Sequence, residues 1–330
     1  MAFNSASGHN NLPSGNFTPE IFSQKVLKFF RRASVAEDIT NTDYAGEIEN
    51  FGDTVRIIKE PTITVSSYAR GAVVNPQDLA DDQIAEIREA LLEYLVIFFR
   101  DQRMSDERLM TFGRYFGELY LHPNLAKRGP YPEVIHVVKE PEATRVVGAE
   151  WHTDTGHVEC PPMGAILHAL EVPPKGGDTL FANQYLAYET LSEGLKATLD
   201  GMKAVHDDSR VAGPNANKGR STETRDDEEW TPTANAHPVV RTHPETGRKA
   251  LYVNVASAHY FEGMSKEESQ PLLQYLFKHA TQPEFTCRFT WAPGSVAFWD
   301  NRCLKHIAVN DYQGYRRDMR RVQLCGDRPV

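Results

Sequence analysis

The sequence predicts a mainly β protein with flanking helices and a double-stranded β-helix, or jelly-roll, core. Three observations lead to this fold class. Many short β-branched or aromatic segments are separated by turn signals, a few amphipathic helices lie between them, and no internal repeat is visible. Such a pattern is typical of two antiparallel sheets packed face to face, with helices on the outside.

The chain has 330 residues, which suits one large β-rich domain with an extension, or two domains. Residues 1–18 are polar and rich in Gly, Ser and Asn, so we expect a disordered tail there. An N-terminal extension is expected over residues 19–70. The character of the sequence changes at Gly71, and the jelly-roll domain is expected over residues 71–330.

Charge and composition exclude several classes of partner. The net charge of -9 argues against binding to nucleic acid or to an acidic membrane surface. The longest apolar run, residues 91–99, is too short to span a bilayer, and the N-terminus has no signal-peptide core. We therefore expect a cytoplasmic protein, and the oligomeric state stays open, with a homo-oligomer as one option.

The four cysteines form no CxxC pair and have no zinc-like spacing. They are interpreted as reduced thiols. Cys303 is the one that the sequence places near a candidate reactive residue, His306.

Five amphipathic segments predict helices. Ser105 and Ser192 are suitable N-caps, and Ser265 with Glu268 forms a capping box. The predicted helices span residues 19–35, 80–92, 105–116, 192–202 and 265–279.

Strands are predicted where β-branched and aromatic residues are bounded by Gly, Pro, Asn or Asp. A hairpin turn is expected over residues 243–247, and a Gly-rich turn over residues 173–178. The predicted strands span residues 47–49, 54–58, 62–65, 94–99, 134–138, 152–154, 164–169, 179–182, 239–241, 250–253, 286–290, 295–299 and 317–324.

Residues 207–236 are polar and lack clear periodicity. Such a stretch inside an enzyme is either a mobile lid or a solvated insertion. The prediction favours a lid over the site.

Two potential metal ligands, His152 and Asp154, lie two residues apart. In an extended strand, residues i and i+2 point to the same face, so both side chains can reach one ion. The best candidate for a distant third ligand is His306. Two imidazoles and one carboxylate are the ligand set of non-haem Fe(II) oxygenases. The simpler interpretation is that the HxD pair arose by chance and that His306 is an ordinary surface or core histidine.

The last predicted strand is rich in arginine. Strand alternation places Arg317, Met319 and Arg321 on one face, and residues 316, 318 and 320 on the other. A charged residue that faces the inside of a barrel is costly unless it is paired, so Arg317 and Arg321 both require anions. The alternative is an Arg-rich edge strand in solvent.

From about Gly71 to Val330 the sequence resembles the taurine dioxygenase/2,4-dichlorophenoxyacetate dioxygenase (TauD/TfdA-like) family of Fe(II)- and 2-oxoglutarate-dependent dioxygenases. The order and spacing of many separate motifs carry this resemblance. These motifs are FFRDQ at 98–102, FGEL at 116–119, WHTD at 151–154, PPMGA at 161–165, GGDTLF at 176–181, WDNR at 299–302 with His306, DY at 311–312, RDMRRV at 317–322 and GDRP at 326–329.

The resemblance implies His152, Asp154 and His306 as iron ligands and catalytic residues. It also implies that Thr179 and Arg317 hold the far carboxylate of 2-oxoglutarate. The expected cofactor is Fe(II), with 2-oxoglutarate and O2 as co-substrates. The implied reaction hydroxylates a small anionic organic substrate and releases succinate and CO2.

Arg321 and His122 match the family positions that face the anionic group of the primary substrate. Two departures from the pattern argue against taurine itself, because Thr155 and Asn124-Leu125 stand where taurine-specific members carry a bulkier apolar residue and a tyrosine. A sulfonate, a sulfate ester or an aryloxy or alkyl carboxylate stays open as the substrate.

Residues 17–70 resemble the N-terminal region of a tailed-phage major capsid protein, and nothing after about Gly71 continues that resemblance. An ordinary N-terminal extension is the alternative, and in either case this segment is expected to contribute no catalytic residue. The chain as a whole has two alternative functions. One is a phage structural protein with a passenger oxygenase-like domain, and the other is a metal-binding jelly roll without catalysis.

Overall fold

The computed structural model describes residues 79–122, 130–210 and 233–330. Within these residues the chain forms five α-helices and thirteen strands. The helices are α1 (Asp81–Tyr94), α2 (Asp106–Arg114), α3 (Gln184–Glu189), α4 (Glu193–Leu199) and α5 (Lys266–His279).

The strands pair antiparallel throughout the described residues. They are β1 (Val96–Phe99), β2 (Ile135–Lys139), β3 (Gly164–Glu171), β4 (Thr179–Asn183), β5 (Lys203–Asp207), β6 (Ala234–Pro238), β7 (Val240–Thr242), β8 (Lys249–Leu251), β9 (Ala258–Phe261), β10 (Thr286–Phe289), β11 (Val296–Asp300), β12 (Leu304–Ala308) and β13 (Arg317–Leu324). A five-stranded major sheet has the order β1-β11-β3-β13-β2, and a three-stranded minor sheet has the order β10-β4-β12.

Aromatic side chains join the major and minor sheets. Phe98 of β1 stacks on Phe289 of β10 with ring centroids 3.9 Å apart, and Phe181 of β4 lies 5.8 Å from Trp299 of β11. These rings belong to one buried apolar cluster that also contains Met319 of β13. The predicted mainly β architecture with a jelly-roll core is confirmed.

Helices cover the other face of the major sheet. Phe112 of α2 packs edge-on against Phe116 and Phe298, and Leu91 of α1 belongs to the same buried cluster. A third apolar cluster lies between α4, α5 and the smaller sheet β6-β5-β9. The major sheet is therefore buried on both faces, by the minor sheet on one side and by α1 and α2 on the other.

The predicted helix starts agree with the capping interactions. The Ser105 hydroxyl accepts a hydrogen bond from the Arg108 amide, and Ser192 caps α4 in the same way. Ser265 and Glu268 form the complete capping box at α5. Helix α1 also begins within one residue of its predicted start.

Nine of the predicted strands overlap observed ones: those at 94–99, 134–138, 164–169, 179–182, 239–241, 250–253, 286–290, 295–299 and 317–324. The prediction of a strand through residues 152–154 was wrong. His152 makes an isolated bridge, and the chain turns from Asp154 onward, with Thr155 at φ +48. Strand β12, which contains His306, was not predicted.

Part of the predicted lid, residues 211–232, lies outside the described residues. Its two described flanks are strand ends, because Asp207 of β5 pairs with Ala234 of β6. The predicted tail, the helix at 19–35, the first three predicted strands and the capsid-like segment also lie outside the described residues. In the part of the chain that is described, no helix is long and apolar enough to cross a membrane.

Candidate active site

His152 and His306 are joined by their main chains. The amide of each residue donates a hydrogen bond to the carbonyl of the other, at 3.0 Å and 2.9 Å. Their ring centroids lie 4.2 Å apart. Since β12 is itself paired with β4, the minor sheet fixes the position of both imidazoles.

Asp154 completes a cluster of three potential ligands. Its Oδ1 atom lies 3.6 Å from His152 Nε2 and 3.8 Å from His306 Nε2. One ligand atom from each residue lies within 4.8 Å of the other two. The predicted trio therefore converges, although the turn after His152, rather than strand alternation, brings the carboxylate to the imidazoles.

The residues around His152 set its tautomer and its orientation. Nδ1 lies 2.7 Å from the Glu150 carbonyl oxygen, so this nitrogen carries the proton and donates, which leaves the Nε2 lone pair toward Asp154. Gly148, at φ +80, packs against the ring, and a Cβ atom there would lie 2.8 Å from Cε1 of His152. A glycine is therefore required beside this imidazole.

The three side chains are electrostatically suited to a cation. Burial opposes ionisation of Asp154, but the Arg321 guanidinium and the two imidazoles hold the pKa of its carboxyl well below the usual range. Burial and the neighbouring His152 lower the pKa of His306 well below its usual value, which keeps this imidazole neutral. Asp154 Oδ2 and His306 Nδ1 are buried without a hydrogen-bond partner among the described residues. Two imidazoles, one carboxylate and a carboxylate oxygen without a protein partner fit an Fe(II) ion.

Arg317 and Thr179, the residues predicted to hold 2-oxoglutarate, are both buried and both contact Trp291. Arg317 is 5% exposed, and its Nε and Nη2 atoms have no partner among the described residues. Its guanidinium carbon lies 5.6 Å from the centroid of the Trp291 ring, and Trp291 Nε1 donates to the Thr179 hydroxyl at 3.0 Å. Burial lowers the pKa of Arg317, and Tyr312 and Asp178 oppose that shift. A buried guanidinium with open donors fits a carboxylate such as the far end of 2-oxoglutarate.

The two residues predicted to face the substrate lie beside Asp154. Arg321 Nη1 donates to Asp154 Oδ1 at 3.0 Å, while Nε of Arg321 has no partner among the described residues. Burial, and then the charge of Arg321, lower the pKa of His122 to about 3, so its imidazole is neutral at physiological pH.

Sequence reasoning missed three residues of this region. Trp291 contacts both Thr179 and Arg317, yet it lies in a loop without a motif that would identify it. Tyr120 lies near Asp154, and its pKa is raised to about 12, mainly by burial. His157 is buried three residues after Asp154, and the HxDxxH spacing was a signal that could have identified it.

A second cluster of potential ligands, His243, Asp300 and Cys303, is already satisfied by protein contacts. Both carboxylate oxygens of Asp300 accept hydrogen bonds from Arg302, and one also accepts from His243 Nε2 at 3.0 Å. Burial raises the pKa of the Cys303 thiol well above its usual value. Cys303 is therefore an unreactive core thiol in a structural ion-pair network. All four cysteines are free.

Comparison with known proteins agrees with this geometry. The profile of the "Taurine catabolism dioxygenase TauD, TfdA family" matches residues 62–323. An alkylsulfatase from Acinetobacter baylyi is 36% identical over 258 residues, which are 76% of this chain and 79% of the relative. An alpha-ketoglutarate-dependent sulfate ester dioxygenase from Pseudomonas putida is 34% identical over 274 residues, 81% of this chain and 88% of the relative. None of these matches supports the resemblance of residues 17–70 to a capsid protein or the alternative of a phage structural protein.

A solved structure connects the fold with the ligands. The crystal structure of AAD-2 in complex with Mn(II) and N-oxalylglycine superposes with a TM-score of 0.63 at 30% identity, covering 78% of this chain and 93% of that one. N-oxalylglycine is an analogue of 2-oxoglutarate. The converging trio, the buried arginine and the matches over most of the chain lead to one conclusion. The chain belongs to the TauD/TfdA family and is an Fe(II)- and 2-oxoglutarate-dependent dioxygenase.

Proposed function

We propose that this protein hydroxylates a small anionic organic substrate at an Fe(II) centre held by His152, Asp154 and His306. The convergence of these three side chains around one position carries the proposal. Fe(II) bound there would supply the oxidising chemistry of the reaction, in which 2-oxoglutarate is converted to succinate and CO2.

The protein's own residues orient the co-substrate. Arg317 and the Thr179 hydroxyl hold the far carboxylate of 2-oxoglutarate, and Trp291 fixes the rotamer of Thr179 by donating to it. Because the guanidinium is buried, the ion pair forms in a region of low dielectric constant, where it is strong and directional.

Arg321 and His122 determine the charge of the primary substrate. Arg321 neutralises Asp154 on one side and keeps its Nε donor available on the other. A guanidinium and a neutral imidazole beside the metal centre favour an anionic head group. The two relatives described above are named as an alkylsulfatase and a sulfate ester dioxygenase, so both names refer to sulfate esters. They support a sulfur oxyanion ahead of the aryloxy or alkyl carboxylates.

An anaerobic titration tests the metal and co-substrate assignment. Addition of Fe(II) and 2-oxoglutarate to the wild-type protein is expected to produce a weak visible charge-transfer band, and His152→Ala should lack it. His168→Ala is a matched control, because this buried histidine of β3 hydrogen-bonds the Gln102 carbonyl outside the metal cluster. A folded wild-type protein without the band would contradict the proposal.

A substrate screen tests the reaction itself. Sulfate esters, sulfonates and aryloxy acids should be compared for substrate-dependent release of succinate. At least one sulfur oxyanion is expected to stimulate that release. Binding of Fe(II) without any substrate-dependent succinate would instead identify a non-catalytic metal-binding jelly roll.

A further inference from the structure

His157 is a buried imidazole with an unused hydrogen-bonding atom. It is 3% exposed, and its Nε2 atom has no partner among the described residues. A buried polar atom without a partner is costly and is rare in folded proteins, so an unpaired Nε2 indicates a missing ligand or solvent molecule. The proposed assignments of metal, co-substrate and substrate residues leave this side chain without a role.

The main chain around His157 is fixed by the neighbouring sheet. Asn235 Nδ2 donates to the His157 carbonyl at 2.7 Å, and the His237 ring bonds through Nε2 with the Val158 carbonyl at 2.9 Å. Both of these side chains come from β6. The turn that contains His157 begins at Asp154 and includes Thr155 at φ +48. The imidazole is therefore held in place before any ligand arrives.

His157 lies near the residues that are proposed to meet the substrate. Residues 154–157 form a turn in which the Val158 amide donates to the Thr155 carbonyl at 3.2 Å, and this turn keeps His157 close to the metal ligand Asp154. An electrostatic interaction between His157 and His122 agrees with this position. Arg321 and His122 in turn both interact with Asp154. His122 interacts electrostatically with Arg321, Asp154 and His157, so these side chains lie around the same carboxylate.

The number of donors in this region distinguishes classes of anion. A carboxylate has two oxygens in one plane, and a single guanidinium fork can satisfy much of it. A sulfonate or sulfate monoester has a tetrahedral head with three terminal oxygens, which accept hydrogen bonds from separate directions. A third donor, beyond Arg321 and His122, adds most to the binding of the tetrahedral head.

We propose that His157 is a specificity-determining residue that donates a hydrogen bond through Nε2 to the tetrahedral sulfur oxyanion of the substrate, R–SO3− or R–OSO3−. This inference rests on the proposed function and extends it by naming the head group that the site selects. The competing explanation is structural, since His157 also interacts electrostatically with Asp208 and Asp207. A structural histidine would affect every substrate equally.

Two variants separate these explanations. His157→Phe fills the space but removes the donor, and His157→Gln keeps a donor. The probes are hexyl sulfate, hexanesulfonate and heptanoate. Calorimetry measures the affinity of each probe for the protein loaded with Fe(II) and 2-oxoglutarate under anaerobic conditions. Substrate-dependent release of succinate is measured in parallel. His168→Phe controls for the loss of a buried histidine elsewhere.

We expect His157→Phe to weaken binding of the two sulfur oxyanions by about tenfold or more, the loss typical of one hydrogen bond to a charged group. Binding of heptanoate should change much less, and His157→Gln should recover part of the loss. Hexyl sulfate and hexanesulfonate, compared within each variant, show which of the two head groups the site prefers. The melting temperature and the charge-transfer band should match those of the wild type.

Equal losses for all three probes would overturn the assignment of His157. So would failure of the wild-type protein to bind either sulfur oxyanion while the charge-transfer band is intact. In both of these cases the proposed Fe(II) and 2-oxoglutarate site would still stand. Absence of the band in the wild-type protein would instead contradict the proposed function itself.

Discussion

Arg317 is enclosed by protein, and two of its guanidinium nitrogens have no partner among the described residues. Trp291 and Tyr312 beside it have no carboxylate, and Asp178, which acts on it electrostatically, is hydrogen-bonded to Arg288. The neighbouring Arg316, just before β13, is different because it pairs with Glu140 and Glu171. Two adjacent arginines therefore lie in different surroundings, one with open donors and one paired with carboxylates.

Arg317→Met is expected to raise the KM for 2-oxoglutarate by at least about 30-fold, because a buried charged hydrogen-bonded pair is worth about 2 kcal/mol or more when one partner is truncated. Steady-state succinate formation at varied 2-oxoglutarate concentration measures this change. Arg316→Met is the matched control, and its KM should stay near the wild-type value. Similar KM values for both variants would contradict the role of Arg317.

At this scale the sequence predicted side-chain direction well. Alternation along residues 317–321 places Arg317, Met319 and Arg321 on the inward face, and the structure confirms that all three are buried. The anion that meets Arg321 could not be predicted. Asp154 reaches it from 167 positions earlier in the chain, and that contact depends on a turn rather than on a local pattern.

The turn before His152 is the element that most directly controls the metal ligands. Gly148 there and Gly247 in the β7–β8 hairpin both have positive φ, at +80 and +69. A Cβ atom at position 148 would meet the His152 ring, whereas one at position 247 would meet nothing within 4 Å. Substitution of Gly247 therefore introduces backbone strain alone, whereas substitution of Gly148 introduces the same strain and also displaces the His152 ring.

Gly148→Ala and Gly247→Ala are both expected to lower the free energy of unfolding, by about 1–3 kcal/mol, because alanine is strained at positive φ. Only Gly148→Ala should also weaken Fe(II) affinity, since the added methyl group pushes the His152 ring. Thermal unfolding and anaerobic Fe(II) titration measure the two effects. Unchanged Fe(II) affinity in a folded Gly148→Ala protein would show that the ring can shift without loss.

Element prediction missed strands β5, β6, β9 and β12 and helix α3. Strand β12 was missed because Lys305 interrupts its apolar pattern, although this lysine is buried. Helix α3 was missed because it is short, yet Asn183 supplied an N-cap signal and accepts from the amides of Tyr185 and Leu186. The strand predicted through Asp154 failed because local alternation cannot show where a chain turns.

For the whole molecule, every residue proposed for the site lies between positions 120 and 321. The described residues fall in one unit, Ser67–Val330, and the family match begins at residue 62. Within the described residues, the major and minor sheets and the apolar cluster between them are formed by residues 95–324.

Deletion of residues 1–68 is therefore expected to leave turnover largely intact, since the remaining chain contains its own core. The assay is substrate-dependent succinate release by the full-length and shortened proteins at equal concentration. Circular dichroism checks that the shortened protein is folded. Loss of activity in a folded, truncated protein would assign a role in the reaction to the N-terminal segment.

The reciprocal main-chain bridge between His152 and His306 has a consequence for how the enzyme is activated. The reciprocal hydrogen bonds fix the spacing of the two main chains, so the protein itself sets this part of the centre. When Fe(II) is added to the metal-depleted enzyme, the rate of activation should therefore be set by the binding of iron. No slow rearrangement of the polypeptide is expected before the enzyme becomes active.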